Sequence, residues 1–177
     1  MELCILMRVS EKESKLDVCQ HFHLHLQAPE IGEEEADTQL PFSQTDLNIL
    51  LRTLDVNRST HRDFLPSEWA RLQEWNLING ECRNSEDHMT LTENALEFKT
   101  LCTFLQQKLR DTLFPTEAFR SALRSILDRV PKNDVLHIRL EIPAGEKGQH
   151  LQLFHYPWEL LSQDNVLWQN KRVNFSR

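Results

Sequence analysis

The amino-acid sequence predicts an α/β fold with three successive parts: an N-terminal β-hairpin, a helical middle and an incomplete αβ domain. Apolar and polar residues alternate with period two in 22–26 and again in 136–142, which is the pattern of half-buried strands. Between them, apolar residues recur at helical spacing, most clearly from Phe119 to Val130. The three parts are assigned to residues 1–42, 43–93 and 94–177.

The first part is interpreted as two strands joined by a charged turn. Leu3 to Val9 is a short apolar run, and the second strand alternates the apolar residues Phe22, Leu24 and Leu26 with His21, His23 and His25. This alternation predicts a hairpin with one face toward water. The acidic run 32–37 that follows is expected to be a solvated loop.

Four helices are predicted after the acidic run. Their start signals are Ser43, Pro66, the pair Thr90 and Glu93 as a capping box, and Thr116. Leu113-Phe-Pro115 separates the third helix from the fourth, because proline disfavours helical geometry in the residue before it. Pro131 ends the fourth helix.

The last part contains two strand patterns separated by a turn and a short helical segment. Residues 136–142 alternate as a half-buried strand, 143–148 form a turn, and Val173 with Phe175 indicates one more strand. Between them, Pro157 fixes the backbone at the start of a helical turn, where Trp158 offers a large apolar surface. Glu159 suits the first turn of this helix, and Leu160 and Leu161 are expected to pack under the sheet.

These residues carry a family resemblance. Leu113-Phe-Pro115, the amphipathic helix after it, the strand 136–140 and the segment Tyr156-Pro157-Trp158-Glu159-Leu160-Leu161 resemble the N-terminal part of the CHAT family of caspase-like cysteine peptidases, clan CD type. The resemblance covers about residues 94–177, and its sharpest part is 157–161. Tyr156 stands where the family usually has leucine. The segment 65–78 is similar to leader regions of bacterial CHAT proteins.

The resemblance implies a cysteine peptidase that uses a histidine and cysteine dyad, in which a thiolate attacks the peptide carbonyl. In the family these two residues follow the segment at which this sequence stops, in a His-Gly motif and at the end of a later strand. Neither motif occurs here, so no catalytic residue is assigned. The chain is therefore expected to be the noncatalytic N-terminal portion of a CHAT protein, whether as a fragment, a truncated reading frame or one half of a split gene.

The cysteines and histidines allow two further hypotheses. Cys4 and Cys19 would approach the histidines at 21, 23 and 25 if the hairpin pairs as predicted, although no base-orienting group is visible. The three alternating imidazoles would also share one strand face, as in a transition-metal site or simply a solvated surface. Cys102 is expected to be a core residue, and Cys82 has no recognisable partner. No metal or cofactor is assigned.

Composition restricts the partners. The net charge of -7 and the pI of about 5.6 oppose general attraction to nucleic acid or an anionic membrane. No apolar run is long enough to cross a bilayer, and the irregular spacing of the cysteines with no secretory leader favours a cytoplasmic location. A protein partner is expected, and a free-standing module that completes a partner's sheet is the second hypothesis.

A third hypothesis is a winged-helix regulator. Two short helices, a polar hairpin-like stretch and a long helix in the middle of the chain resemble a winged-helix layout. The candidate recognition helix, 67–78, contains Glu68, Arg71 and Glu74, so its charge does not favour phosphate contact. Protein contact is the expected use of such a domain here.

Overall fold

The computed structural model describes residues 2–9, 21–28, 32–55, 63–78, 83–84, 89–90, 98–131, 134–141, 155–163 and 172–176. These residues confirm a mixed α/β structure. The chain divides into two compact units, of which the first combines Met1–Ser43 with Gln106–Arg177 and the second is Gln44–Leu105.

The elements follow in this order along the chain: β1 Glu2–Val9, β2 His21–Ala28, β3 Gly32–Gln39, α1 Gln44–Asp55, β4 Asp63–Phe64, α2 Pro66–Glu74, β5 Arg83–Asn84, β6 Met89–Thr90, α3 Phe98–Leu113, α4 Glu117–Arg129, β7 Val135–Glu141, a 3-10 helix Trp158–Gln163 and β8 Arg172–Ser176. The predicted turns at 10–15 and 143–148 lie outside the described residues. None of the described helices has both the length and the apolar character needed to cross a membrane.

The first unit is built on a five-stranded sheet in the order β3-β2-β1-β7-β8. The predicted hairpin is confirmed, because β1 pairs antiparallel with β2, and β2 pairs antiparallel with β3. On its other side β1 pairs parallel with β7, which pairs parallel with β8. Ile5 of β1 lies in register with Leu26 and Leu140, and all three are buried. One core therefore holds strands from both ends of the sequence.

The prediction of an acidic loop at 32–37 is wrong, because these residues form most of strand β3. Each residue of Gly32–Gln39 is in register with a residue of β2. Ala36 faces the core, and the Thr38 hydroxyl donates a hydrogen bond to the Thr112 carbonyl at 3.0 Å. The alternate positions expose Glu33, Glu35 and Asp37 to water, whereas Glu34 lies on the side of Ala36 and is half-buried.

The helices confirm most of the start and stop signals. Helix α1 begins directly after Ser43, α2 begins at Pro66, and α3 ends at Leu113 ahead of Pro115. Thr116 caps α4, since its hydroxyl accepts a hydrogen bond from the Phe119 amide at 3.3 Å. Pro131 follows the end of α4 as expected.

The capping box predicted for the third helix is not tested by the described residues. Thr90 is the last residue of strand β6, α3 is described from Phe98 onward, and residues 91–97 between them lie outside the described residues. Glu93 lies outside the described residues. Thr90 lies in register with Asp63 and with Arg83 in the small sheet.

The second unit contains a small antiparallel sheet in the order β4-β6-β5 and a bidentate ion pair between α1 and α2. Arg71 of α2 donates from Nε and Nη2 to the two carboxylate oxygens of Asp46 in α1, at 2.9 and 3.1 Å. These hydrogen bonds raise the pKa of the Arg71 guanidinium. Glu68 accepts hydrogen bonds from Arg52 and from the Leu65 amide. The two helices are thus joined by charged side chains.

Candidate functional site

The segment Tyr156–Leu161 was predicted to be a structural motif, and the structure places it in the core of the first unit. Tyr156, Trp158 and Leu161 are buried, whereas Glu159 is exposed. Pro157 begins the turn, and its carbonyl accepts a hydrogen bond from the Leu160 amide at 3.0 Å. The segment thus directs its large apolar side chains inward and its carboxylate to water, as a packing element does.

Tyr156 is the best-anchored residue of this motif. Its ring stacks on Trp158 with centroids 5.5 Å apart and on Phe42 with centroids 6.4 Å apart. Its hydroxyl donates a buried hydrogen bond of 2.7 Å to the Phe42 carbonyl, just before α1. Leucine at this position would have no hydroxyl to make this bond. The tyrosine hydroxyl therefore adds a specific attachment between distant parts of the sequence.

The far end of the motif is attached to α3 and lies against β8. The Gln106 amide donates a hydrogen bond to the Leu160 carbonyl at 3.0 Å. Ser162 closes the turn by donating from its hydroxyl to the Glu159 carbonyl at 2.7 Å. Backbone contacts place the 3-10 helix beside β8. The motif therefore lies between two parallel strands in the sequence, and its buried groups include no carboxyl, imidazole or thiol.

A second cluster of functional side chains lies on the water-facing side of β2 and β3. We call it the histidine–carboxylate ladder: His23 and His25 of β2 with Glu33, Glu35 and Asp37 of β3. His23 Nδ1 lies 3.1 Å from Asp37 Oδ1, and its Nε2 lies 3.6 Å from Glu35 Oε2. His25 Nε2 lies 3.3 Å from Glu33 Oε2. Each imidazole is thus next to at least one carboxylate.

The ladder brings imidazole and carboxylate groups of two adjacent strands together. His23 contacts carboxylates through both ring nitrogens, but a neutral imidazole can donate through only one of them. His21, the third alternating histidine, is exposed and lies in register with Gln39. In the part of the chain that is described, no three His, Cys, Asp or Glu side chains are placed to hold one metal ion, so the metal hypothesis gains no support. The period-two spacing of the acids at 33, 35 and 37 was the sequence signal for the ladder.

The strand register gives the position of Cys4 relative to the histidines. Cys4 lies in register with Gln27 of β2, and Leu6, two positions further on, lies opposite His25. Cys102 is half-buried, and burial raises the pKa of its thiol, whereas a thiolate nucleophile needs a lowered pKa. Cys19 and Cys82 lie outside the described residues.

Comparison with known proteins returns no relative for this chain: no protein-family model matches it, and no curated protein or solved structure matches it significantly.

Proposed function

We propose that this chain is the noncatalytic N-terminal portion of a CHAT-domain caspase-like protein and acts as a scaffold or protein-interaction element. The observation that carries the proposal is the position of the Tyr156–Leu161 motif between parallel strands β7 and β8. Helices α3 and α4 precede β7, so the order of elements agrees with what the resemblance implies: a helix pair, a strand, the motif and a further strand.

The noncatalytic part of the proposal is supported by the chemistry of the described residues. The motif supplies packing groups, and the raised thiol pKa of Cys102 makes it a poor nucleophile. The proposed partner is a protein, the proposed location is the cytoplasm, and no metal or cofactor is required.

Two measurements test this proposal. The intact mass of the protein and of its complex, isolated from the native source, should reveal a caspase-like catalytic segment in the same chain or in a bound chain. A mass of 20.9 kDa with no such chain attached would contradict a fragment or a split gene and would leave only a truncated reading frame. Incubation of this polypeptide alone with a library of fluorogenic peptides should give no thiol-dependent cleavage. Activity that one cysteine substitution abolishes would contradict the noncatalytic assignment.

The second candidate is a free-standing module that completes the sheet of a partner through β8. Strand β8 pairs with β7, and no other described strand pairs with it, so its outer peptide groups are open to an added strand within the described structure. Hydrogen exchange of the β8 amides should slow in the partner complex. Unchanged exchange there would contradict this candidate.

The winged-helix candidate is favoured by one observation, the sheet order β4-β6-β5 with α1 and α2 before the hairpin. Helix α2 is not suited to phosphate contact, because its one basic residue, Arg71, binds Asp46 and Glu74 and lies 5.0 Å over the Trp75 ring. We therefore propose protein contact for this unit. Binding of mixed duplex DNA in a low-salt mobility-shift assay would overturn that choice.

A further inference from the structure

Strand β3 forms the outer edge of the sheet opposite to β8. It pairs with β2 through eight consecutive residues, from Gly32 opposite Ala28 to Gln39 opposite His21. Within the described residues, no strand other than β2 pairs with it. The run is long for an edge strand and contains neither proline nor a bulge. Within the described structure, one row of its peptide groups is therefore open to hydrogen bonds with a further strand.

The side chains of β3 restrict which strand can be added. Glu33, Glu35 and Asp37 project on the water-facing side, and each keeps at least 60% of its side chain exposed. Glu34 adds a fourth acid on the other side. Pairing of β3 with the same strand of a second copy would bring four negative charges against four. Like charges on adjacent strands repel each other, so this pairing is unfavourable. The charge pattern therefore disfavours self-association and favours a basic strand.

The ladder holds these carboxylates in place for such a partner. On the β2 side, Glu33 accepts a hydrogen bond from the Gln27 amide at 3.2 Å and lies 3.3 Å from His25 Nε2, and both Glu35 and Asp37 lie next to His23. Contacts on one side keep the side chains ordered, so a new ion pair on the open side loses less side-chain entropy. Lysine or arginine at alternate positions of an added strand would lie about 5 Å away, which is the spacing of cross-strand neighbours.

We propose that the outer edge of β3 binds an extended, basic segment of a partner protein as an additional strand. Peptide hydrogen bonds supply the pairing, and the acids select the partner. This proposal goes beyond the scaffold role and does not depend on the CHAT assignment, because it uses only β3 and β2. It also uses the opposite edge of the sheet from β8.

The test uses the full chain and a labelled peptide of about eight residues that alternates lysine and valine. Binding is followed by fluorescence anisotropy at low and moderate salt. A peptide with glutamate in place of lysine should not bind. The triple variant Glu33→Gln, Glu35→Gln, Asp37→Asn should weaken binding of the lysine peptide about tenfold or more, since three opposite-charge pairs are lost.

A matched variant separates this edge from general charge attraction. Glu117→Gln, Asp128→Asn and Glu159→Gln remove the same number of exposed acids elsewhere and should leave binding unchanged. Equal weakening by the two triple variants, or no binding by the parent chain, would overturn the proposal. If the parent chain does not bind the peptide, the acids of β3 serve only to prevent edge-to-edge association.

Peptides methylated on backbone nitrogen test the pairing without changing charge or the protein. Alternate residues of an added strand direct their N–H groups toward β3. Methylation in one alternating set should therefore abolish binding, and methylation in the other set should have little effect. The amides of 32–39 should also exchange more slowly in the complex. Equal effects of the two methylated sets, or unchanged exchange in β3, would overturn the proposal even if the triple variant failed to fold.

Discussion

Removal of one oxygen atom at Tyr156 should measurably destabilise the first unit. Tyr156→Phe keeps the ring, so the stacking on Phe42 and Trp158 remains. It removes the hydroxyl that donates to the Phe42 carbonyl at 2.7 Å in a buried position.

The magnitude follows from the burial of this hydrogen bond. Loss of a donor to a buried carbonyl costs about 1–3 kcal/mol in free energy of unfolding. With a urea dependence of about 2 kcal/mol per molar, a loss of 2 kcal/mol lowers the denaturation midpoint by about 1 M. Tyr156→Leu should cost more, because each aromatic contact adds about 0.5–1.5 kcal/mol beyond area burial.

Urea denaturation of the variants, followed by tryptophan fluorescence, measures this effect. His155→Ala is the matched control, since His155 is the exposed neighbour and its substitution should change stability by less than about 0.5 kcal/mol. Equal midpoints for Tyr156→Phe and the parent protein would refute the reasoning. So would a shift for His155→Ala as large as that for Tyr156→Phe.

Three further predictions concern the second unit, α4 and Cys102. Arg71→Lys should lower the free energy of unfolding by about 1 kcal/mol, because lysine cannot make the bidentate contact with Asp46. A double-mutant cycle with Asp46→Asn should show coupling, and additive effects would contradict the contact. Thr116→Ala should lower the free energy of unfolding by about 1 kcal/mol in a thermal or urea unfolding assay, while Thr116→Ser should leave it almost unchanged. Equal losses of stability in the two variants would exclude the hydroxyl as a helix cap. The raised pKa keeps the Cys102 thiol protonated near neutral pH. In a variant that retains only this cysteine, the thiol should therefore react with a disulfide reagent more slowly in the folded protein than in urea, and its reaction should become faster as pH rises. Rapid reaction of the folded protein at neutral pH would contradict the burial of this thiol.

Elements with local signals were predictable from the sequence. The sequence of helix α4 predicts a threonine cap, an apolar stripe and a terminating proline, and all three are present in the structure. These signals act between residues within a few positions of each other, so a sequence pattern contains them completely. The burial of Trp158 and Leu161 was predictable for the same reason, because a proline-initiated turn with large apolar residues needs a core.

Strand β3 was missed because its stabilisation is not local. Glutamate and aspartate are poor strand formers, and four of them in six residues resemble a solvated loop. Pairing with β2 overrides that preference, since the histidines of β2 meet the acids and Ala36 reaches the core. The hydrogen-bond acceptor of the Tyr156 hydroxyl was equally unpredictable from the sequence. The carbonyl of Phe42 is a backbone group, and no sequence pattern identifies which carbonyl a buried hydroxyl will reach.

The position of β1 explains why the two ends of the sequence belong to one unit. Periodicity predicts which face of a strand is buried but does not identify its neighbours, so the parallel pairing of β1 with β7 could not be derived from alternation alone. Ile5 lies between Leu26 and Leu140, and a slip of one residue would turn the buried side chain of β1 toward water. The register of β1 is therefore fixed from both sides at once. Because β3 and β8 are the outer strands of that same sheet, both proposed binding edges depend on the central pairing of β1 with β2 and β7.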